Sequence, residues 1–173
     1  NPEANLVEYL FAPAAVTEAI EKAASEIAKN VIEKLGMVGI LAVELFLTKE
    51  GEILVNEVAP RPHNSGHQTI EANYTSQYEQ HLRSIINLPL GATDAIKPSV
   101  MVNLLGEKDY SGTAKYEGIE LVTSWKGVYP HIYGKEFTKP FRKMGHVTII
   151  ANTLNDAKTL AFDVKKTLKV IAE

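Results

Sequence analysis

The chain predicts an α+β fold in two parts: an antiparallel sheet with packed helices over residues 1–93, then a small sheet-plus-helix lobe over residues 94–173. Three observations carry this. Ile40 to Ala59 reads as a hairpin, because strand formers lie on both sides of the turn signal Glu50-Gly51. Thr17 to Leu35 and Asn155 to Ala172 repeat apolar residues every three or four positions, the helical period. From Ala92 to Pro98 the pattern lapses as in a linker, and short strands resume beyond it.

Taken in order, Leu6 to Phe11 predicts a short strand closed by Pro13. Thr17 to Leu35 predicts an amphipathic helix with the stripe Val16, Ile20, Ala24, Ile27, Val31 and Leu35. Thr17 serves as N-cap, Glu18 and Glu21 suit the positive end, and Gly36 fits the position after the C-cap. The hairpin follows. Gln68 to Asn87 carries a second helical pattern through Ile70, Tyr74, Tyr78, His81, Leu82 and Ile85. A capping box at Ser76 and Glu79 predicts an interruption near Tyr74-Thr75. His81, on the apolar side, reads as a packed histidine. In the second lobe, strands are expected at Ser99 to Leu105, Gly118 to Thr123, Val128 to Tyr133 and Gly145 to Ile150, with a closing helix over Asn155 to Ala172. Trp125 reads as a packing residue.

Composition narrows the function. A net charge of −3 disfavours nucleic-acid binding. No apolar run approaches the roughly 20 residues of a membrane span, and no secretory signal opens the chain, so a cytoplasmic protein is expected. With no cysteine there is neither disulfide nor thiolate chemistry.

The hairpin contains the first candidate site. With Lys49 and Glu52 flanking a two-residue turn, Glu44 falls opposite Glu57. Opposed carboxylates repel across a sheet, and their neighbours Val43, Leu45, Val55 and Val58 are apolar, so both are expected to be partly desolvated. A cation between them relieves the repulsion, and an oxygen-only site with few protein donors suits Mg²⁺. Directly after what reads as a buried strand come Pro60-Arg61-Pro62-His63-Asn64-Ser65-Gly66-His67, where two prolines stop the ladder and leave a cluster of donors beside the metal.

These words, together with Val55-Asn56-Glu57-Val58, Ser76-Gln77-Tyr78-Glu79-Gln80-His81, Tyr133-Gly134-Lys135 and Arg142-Lys143-Met144-Gly145-His146, closely resemble the N5-carboxyaminoimidazole ribonucleotide synthetase family of ATP-grasp ligases. The resemblance runs over essentially the whole chain. It implies that residues 1–93 are the C-terminal part of an ATP-grasp domain and residues 94–173 a small C-terminal domain. It also implies ATP-dependent carboxylation of 5-aminoimidazole ribonucleotide by bicarbonate. Glu44 and Glu57 would hold Mg²⁺ (or Mn²⁺) on ATP, with Asn56 beside them. Arg61, His63 and Asn64 would meet bicarbonate and its phosphorylated form, and His67 stands nearby without an assigned role. Lys135 and Arg142 would grip the ribonucleotide phosphate, and Lys143 would face solvent. The family further implies a homodimer.

The opening Asn1-Pro2-Glu3-Ala4-Asn5 has no initiator Met, and no Gly-rich phosphate loop precedes a helix. On the resemblance, the chain is the C-terminal part of a longer enzyme and inactive alone. Two rivals remain: another ATP-grasp carboxylase or formate-using purine ligase, and a non-catalytic binding module.

Overall fold

A computed structural model describes Glu3 and residues 6–173, so the opening pentapeptide, Glu3 excepted, lies outside the described residues. In chain order the elements are β1 (Tyr9–Ala12), α1 (Glu18–Lys34), β2 (Ala42–Leu47), β3 (Ile53–Ala59), a 3₁₀ turn (Asn64–Gly66), α2 (Thr69–Ala72) and α3 (Gln77–Ile85). They continue with β4 (Ser99–Leu105), β5 (Gly112–Glu117), α4 (Ile119–Val122), β6 (Val128–Ile132), β7 (Phe137–Thr138), β8 (Lys143–Ile150), α5 (Leu154–Thr167) and β9 (Lys169–Ala172). They form two compact units, Ala14–Asp94 and, with the N-terminal strand, Ala95–Glu173. By packing, then, residues 1–93 are not one unit: β1 pairs antiparallel with β4, Tyr9 opposite Val102, and joins the second lobe.

That lobe holds a four-stranded antiparallel sheet in the order β1-β4-β8-β6 and a three-stranded one in the order β7-β5-β9. Every residue of β4 is buried, as its apolar run requires. Ala157, Ala161 and Val164 of α5 enter one core with Val100, Val102, Val147 and Ile149, and Trp125 packs against it. Two expectations fail here. Gly118 to Thr123 is not a strand. The strand is β5, whose residues alternate between half-buried and exposed, and it ends at Gly118, which has φ of 83° and turns the chain into α4. The closing helix stops at Thr167. Leu168 is extended, and Val170 and Ile171 pair with Tyr116 and Lys115 of β5. β-branched residues on a pleated surface outweigh the helical spacing there.

In the unit Ala14–Asp94, α1 keeps its predicted caps: Thr17 Oγ1 accepts from the Ile20 N–H, and Gly36 takes φ of 58°. The break before α3 is also as expected, but the capping box is half made. Ser76 Oγ accepts from the Glu79 N–H, whereas the Glu79 carboxylate is taken by Arg83 at 2.7 Å. The face α3 turns inward is rotated from the one its apolar period suggests and keeps only His81 of α3's share of that period. Tyr78, Leu82 and Ile85 are exposed, and Gln77, Gln80 and His81 turn inward. Hydrogen bonds to backbone hold that inward face. The Gln80 amide pairs with both the N–H and the C=O of Gly91, and His81 Nδ1 accepts from the Ile40 N–H at 3.1 Å. His81 is therefore the packed histidine expected.

Candidate functional site

The hairpin of β2 and β3 opposes Glu44 and Glu57, by a different route from the one expected. Thr48 and Glu52 pair across a three-residue loop, Lys49 to Gly51, with Gly51 at φ of 88°. The register then shifts between Glu44 and Leu45, where Leu45 meets Val55 and Asn56 is left as the extra residue of a bulge. The bulge decides the site's chemistry. Adjacent strand residues normally point to opposite faces, yet Asn56 Nδ2 donates to Glu44 Oε2 at 3.3 Å while Glu57 also lies against Glu44. Re-aiming a side chain in this way is what bulges near functional sites do.

β3 is not the buried strand expected, since all of it but Ile53 and Ala59 is exposed. No third strand joins the hairpin among the described residues. Desolvation of the two carboxylates is accordingly uneven: the Glu44 side chain is 40% exposed and that of Glu57 60%.

His63 enters between them. Its Nδ1 lies 3.7 Å from Glu44 Oε1 and its Nε2 3.9 Å from Glu57 Oε1, and the ring is only 14% exposed. One atom each from Glu44, Glu57 and His63 lies within 4.8 Å of the other two. Two carboxylates beside a neutral amide fit a hard divalent cation such as Mg²⁺. His63 precedes the 3₁₀ turn without capping it through its side chain; Ser65 Oγ is 2.8 Å from its Nδ1.

Arg61 follows a tight turn in which its N–H donates to Ala59 C=O. Its guanidinium is exposed, donates to Pro62 C=O at 3.0 Å, and forms no ion pair among the described residues. It is therefore not a structural partner of Glu57. With His63, Ser65, Gly66, Thr69 and Gln77 it lines a cleft of about 250 Å³. Asn64 starts the 3₁₀ turn, and its C=O accepts from the His67 N–H. His67 stacks on Tyr78, centroids 5.7 Å apart, with the Tyr78 hydroxyl 2.9 Å from Nδ1. Burial pushes the Tyr78 phenol above its ordinary range.

The residue that sequence reading missed is Gln77, 7% exposed at the start of α3. Its Oε1 accepts from the His63 N–H and its Nε2 donates to His63 C=O, both at 2.8 Å, and Nε2 also reaches His67 Nδ1 at 2.9 Å. Gly66 is a glycine because a Cβ there would stand 2.6 Å from Gln77 Oε1. A polar residue at the first position of a helix is unremarkable in sequence; its place in the word Ser76-Gln77-Tyr78 was the available signal.

Lys135 and Arg142 belong to the other unit, before and after β7. Each donates to a backbone carbonyl: Lys135 Nζ to Lys143 C=O at 2.6 Å and Arg142 Nη1 to Phe137 C=O at 2.8 Å. Neither is ion-paired among the described residues. Lys143 is half-buried rather than solvent-facing.

An ATP-grasp domain is matched over residues 2–78, the span that contains the opposed carboxylates, the donor loop after them and Gln77. The phosphoribosylaminoimidazole carboxylase C-terminal domain is matched over residues 99–159. The N5-carboxyaminoimidazole ribonucleotide synthase of Bacillus subtilis is 47% identical over 146 residues, covering 84% of this chain and 37% of that protein. The crystal structure of the synthetase from Thermotoga maritima superposes with a TM-score of 0.90 at 54% identity, covering 94% of this chain and 45% of that one. A structure from Aspergillus clavatus, in complex with ADP and 5-aminoimidazole ribonucleotide, gives a TM-score of 0.83 at 34% identity, covering 94% and 44%. The chain belongs to the N5-carboxyaminoimidazole ribonucleotide synthetase family, and its mixed fold of antiparallel sheets and helices is the one expected. It spans less than half the length of these relatives. No helix among the described residues is long and apolar enough to cross a membrane.

Proposed function

We propose that this chain supplies the metal and substrate contacts of an enzyme that joins bicarbonate to the amine of 5-aminoimidazole ribonucleotide. ATP would be spent, giving N5-carboxyaminoimidazole ribonucleotide, ADP and phosphate. The observation that carries the reading is the Glu44–Glu57 pair with Asn56 and His63 against it, set beside the Arg61 cleft in a chain of this family. Glu44 and Glu57 would hold Mg²⁺, which when bound offsets the charge on the ATP phosphates.

The chain's own groups do the rest. The exposed Arg61 guanidinium offers two parallel donors, a match for a planar anion such as bicarbonate and then for carboxyphosphate. His63 and Asn64 add polar contacts on the same loop. Lys135 and Arg142 take the ribonucleotide phosphate. An ammonium has three donors and a guanidinium five, so the one each gives to a carbonyl leaves others for the ligand. The reading includes a cytoplasmic homodimer, which sedimentation of the longer enzyme tests.

The deciding measurement is ATP turnover by an enzyme that carries this chain together with the remainder its relatives have. Turnover should require both bicarbonate and the ribonucleotide, and this 173-residue chain alone should show none. Formate replacing bicarbonate would favour the purine-ligase rival, and ATP turnover indifferent to the ribonucleotide would overturn the substrate assignment.

A further inference from the structure

We propose that Gln77 is the positioning residue of this site: its amide fixes the backbone of His63 and holds His67 as the neutral tautomer protonated on Nε2. The catalytic consequence rests on the functional reading above; the tautomer does not.

The argument starts from what the backbone can do. A peptide N–H only donates and a C=O only accepts, so the His63 N–H at 2.8 Å identifies the Gln77 oxygen and the His63 C=O at 2.8 Å identifies its NH₂. The amide therefore cannot be flipped. Its orientation brings Nε2 to 2.9 Å from His67 Nδ1. An NH₂ group does not accept, so Nδ1 must present its lone pair, and the proton of the neutral ring sits on Nε2. The Tyr78 hydroxyl, 2.9 Å from the same nitrogen, donates to it in that form.

On the other side, pairing both polar groups of His63 does what a neighbouring strand would do. It holds that residue extended, at φ −121° and ψ 150°, and so sets the ring between Glu44 and Glu57. The burial of Gln77 and the absence of room for a Cβ at Gly66 show that the loop is closed onto this amide. Gln80, one turn along α3, pairs with Gly91 in the same two-bond manner but touches neither histidine, which makes it an internal control.

The test is the protonation pattern of the His67 ring, read from its ¹⁵N resonances in this chain at neutral pH. Wild type should show Nδ1 unprotonated. In Gln77→Glu an oxygen acceptor replaces the NH₂, and Nδ1 should become protonated, whereas Gln80→Glu should leave the ring unchanged. In the longer enzyme, Gln77→Glu should lower kcat by about 10²-fold, the scale of an ångström-size misplacement of reacting groups. The KM for ATP should hold, and Gln80→Glu should turn over normally. A wild-type ring protonated on Nδ1, or one unmoved by Gln77→Glu, overturns the tautomer; if Gln77→Glu does not fold, the wild-type ring alone decides. A moved tautomer with normal kcat overturns the positioning role. Absence of ribonucleotide-dependent turnover in the wild-type longer enzyme overturns the functional reading instead, and the ring assignment stands.

Discussion

Replacing Glu57 by Gln separates a metal pair from an accident of packing. Ligand atoms of Glu44, Glu57 and His63 all lie within 4.8 Å of one another. Two full charges at that separation repel by about 1 kcal/mol in water and about 3.5 kcal/mol at an effective dielectric near 20. With the two side chains 40% and 60% exposed, screening holds the value near the lower figure. Without metal, Glu57→Gln should therefore stabilise the chain by up to about 1 kcal/mol, or about 2–4 °C in Tm for a protein of this size. Mg²⁺ should reverse the order. At ten times its Kd, a ligand of the native state adds about 1.4 kcal/mol to wild type, and the variant should gain little of it. Thermal unfolding followed by circular dichroism, first in EDTA and then across a Mg²⁺ titration, reads both halves. An equal Mg²⁺ response in the two proteins removes Glu57 from the metal site. A variant less stable than wild type in EDTA shows that the pair is not repulsive.

Three further outcomes are expected. Asn56→Ala should weaken Mg²⁺ binding by about 10-fold, as loss of a group that orients a metal ligand does, with the fold intact; unchanged calorimetric affinity would make Asn56 a purely structural residue. In the longer enzyme, Arg142→Ala should weaken ribonucleotide binding by about one to two orders of magnitude, since a charge-assisted hydrogen bond contributes roughly 1.5–3 kcal/mol. Arg61→Ala should instead depress kcat at saturating ribonucleotide, and kinetics with each substrate varied in turn would expose a swapped assignment. Burial raises the phenol pKa of Tyr9, Tyr78 and Tyr116 above 10.0, with Glu8 adding to the shift at Tyr9. The unfolded chain ionises these first and so holds fewer protons, which means stability must fall as pH rises past 10. Ultraviolet titration should show these three ionising above the ordinary tyrosine value, and ionisation of all three at that value would refute it.

Much of the fold was legible where burial is apolar and periodic. β4, β8 and α1 fall where their patterns put them, because burial or amphipathic spacing dictates each. The failures come from interactions that periodicity does not register. The inward face of α3 is fixed by amide and imidazole bonds to His63, Gly91 and Ile40, so its apolar residues mark the face this chain leaves uncovered. β9 reads as helix in the sequence because Leu168 and Ile171 continue a spacing that only pairing with β5 breaks. The candidate residues on the hairpin and the loop after it stand out in sequence because carboxylates, prolines and histidines among apolar residues carry their own signal. Gln77 carried no signal beyond its place in the word Ser76-Gln77-Tyr78, since a glutamine is buried only when a particular backbone segment comes to meet it.

The Glu44–Glu57 pairing survives two departures from a regular hairpin. The loop has three residues where the turn signal predicts two, Asn56 bulges out of the ladder, and each displaces the register by one residue in opposite senses. The cancellation shows what the bulge is for. From the Thr48–Glu52 pair to the Glu44–Glu57 pair, β3 spends one residue more than β2. If Asn56 were deleted, Glu57 would follow Val55 directly, and an unbroken ladder would still set it opposite Glu44. Opposing the carboxylates therefore does not require the bulge. What the extra residue adds is an amide 3.3 Å from Glu44 Oε2, on the same side as the Glu57 carboxylate, a placement that two neighbours in a regular strand cannot share. An N–H donor on one oxygen of Glu44 restricts how that carboxylate turns and leaves its other oxygen, Oε1, facing His63.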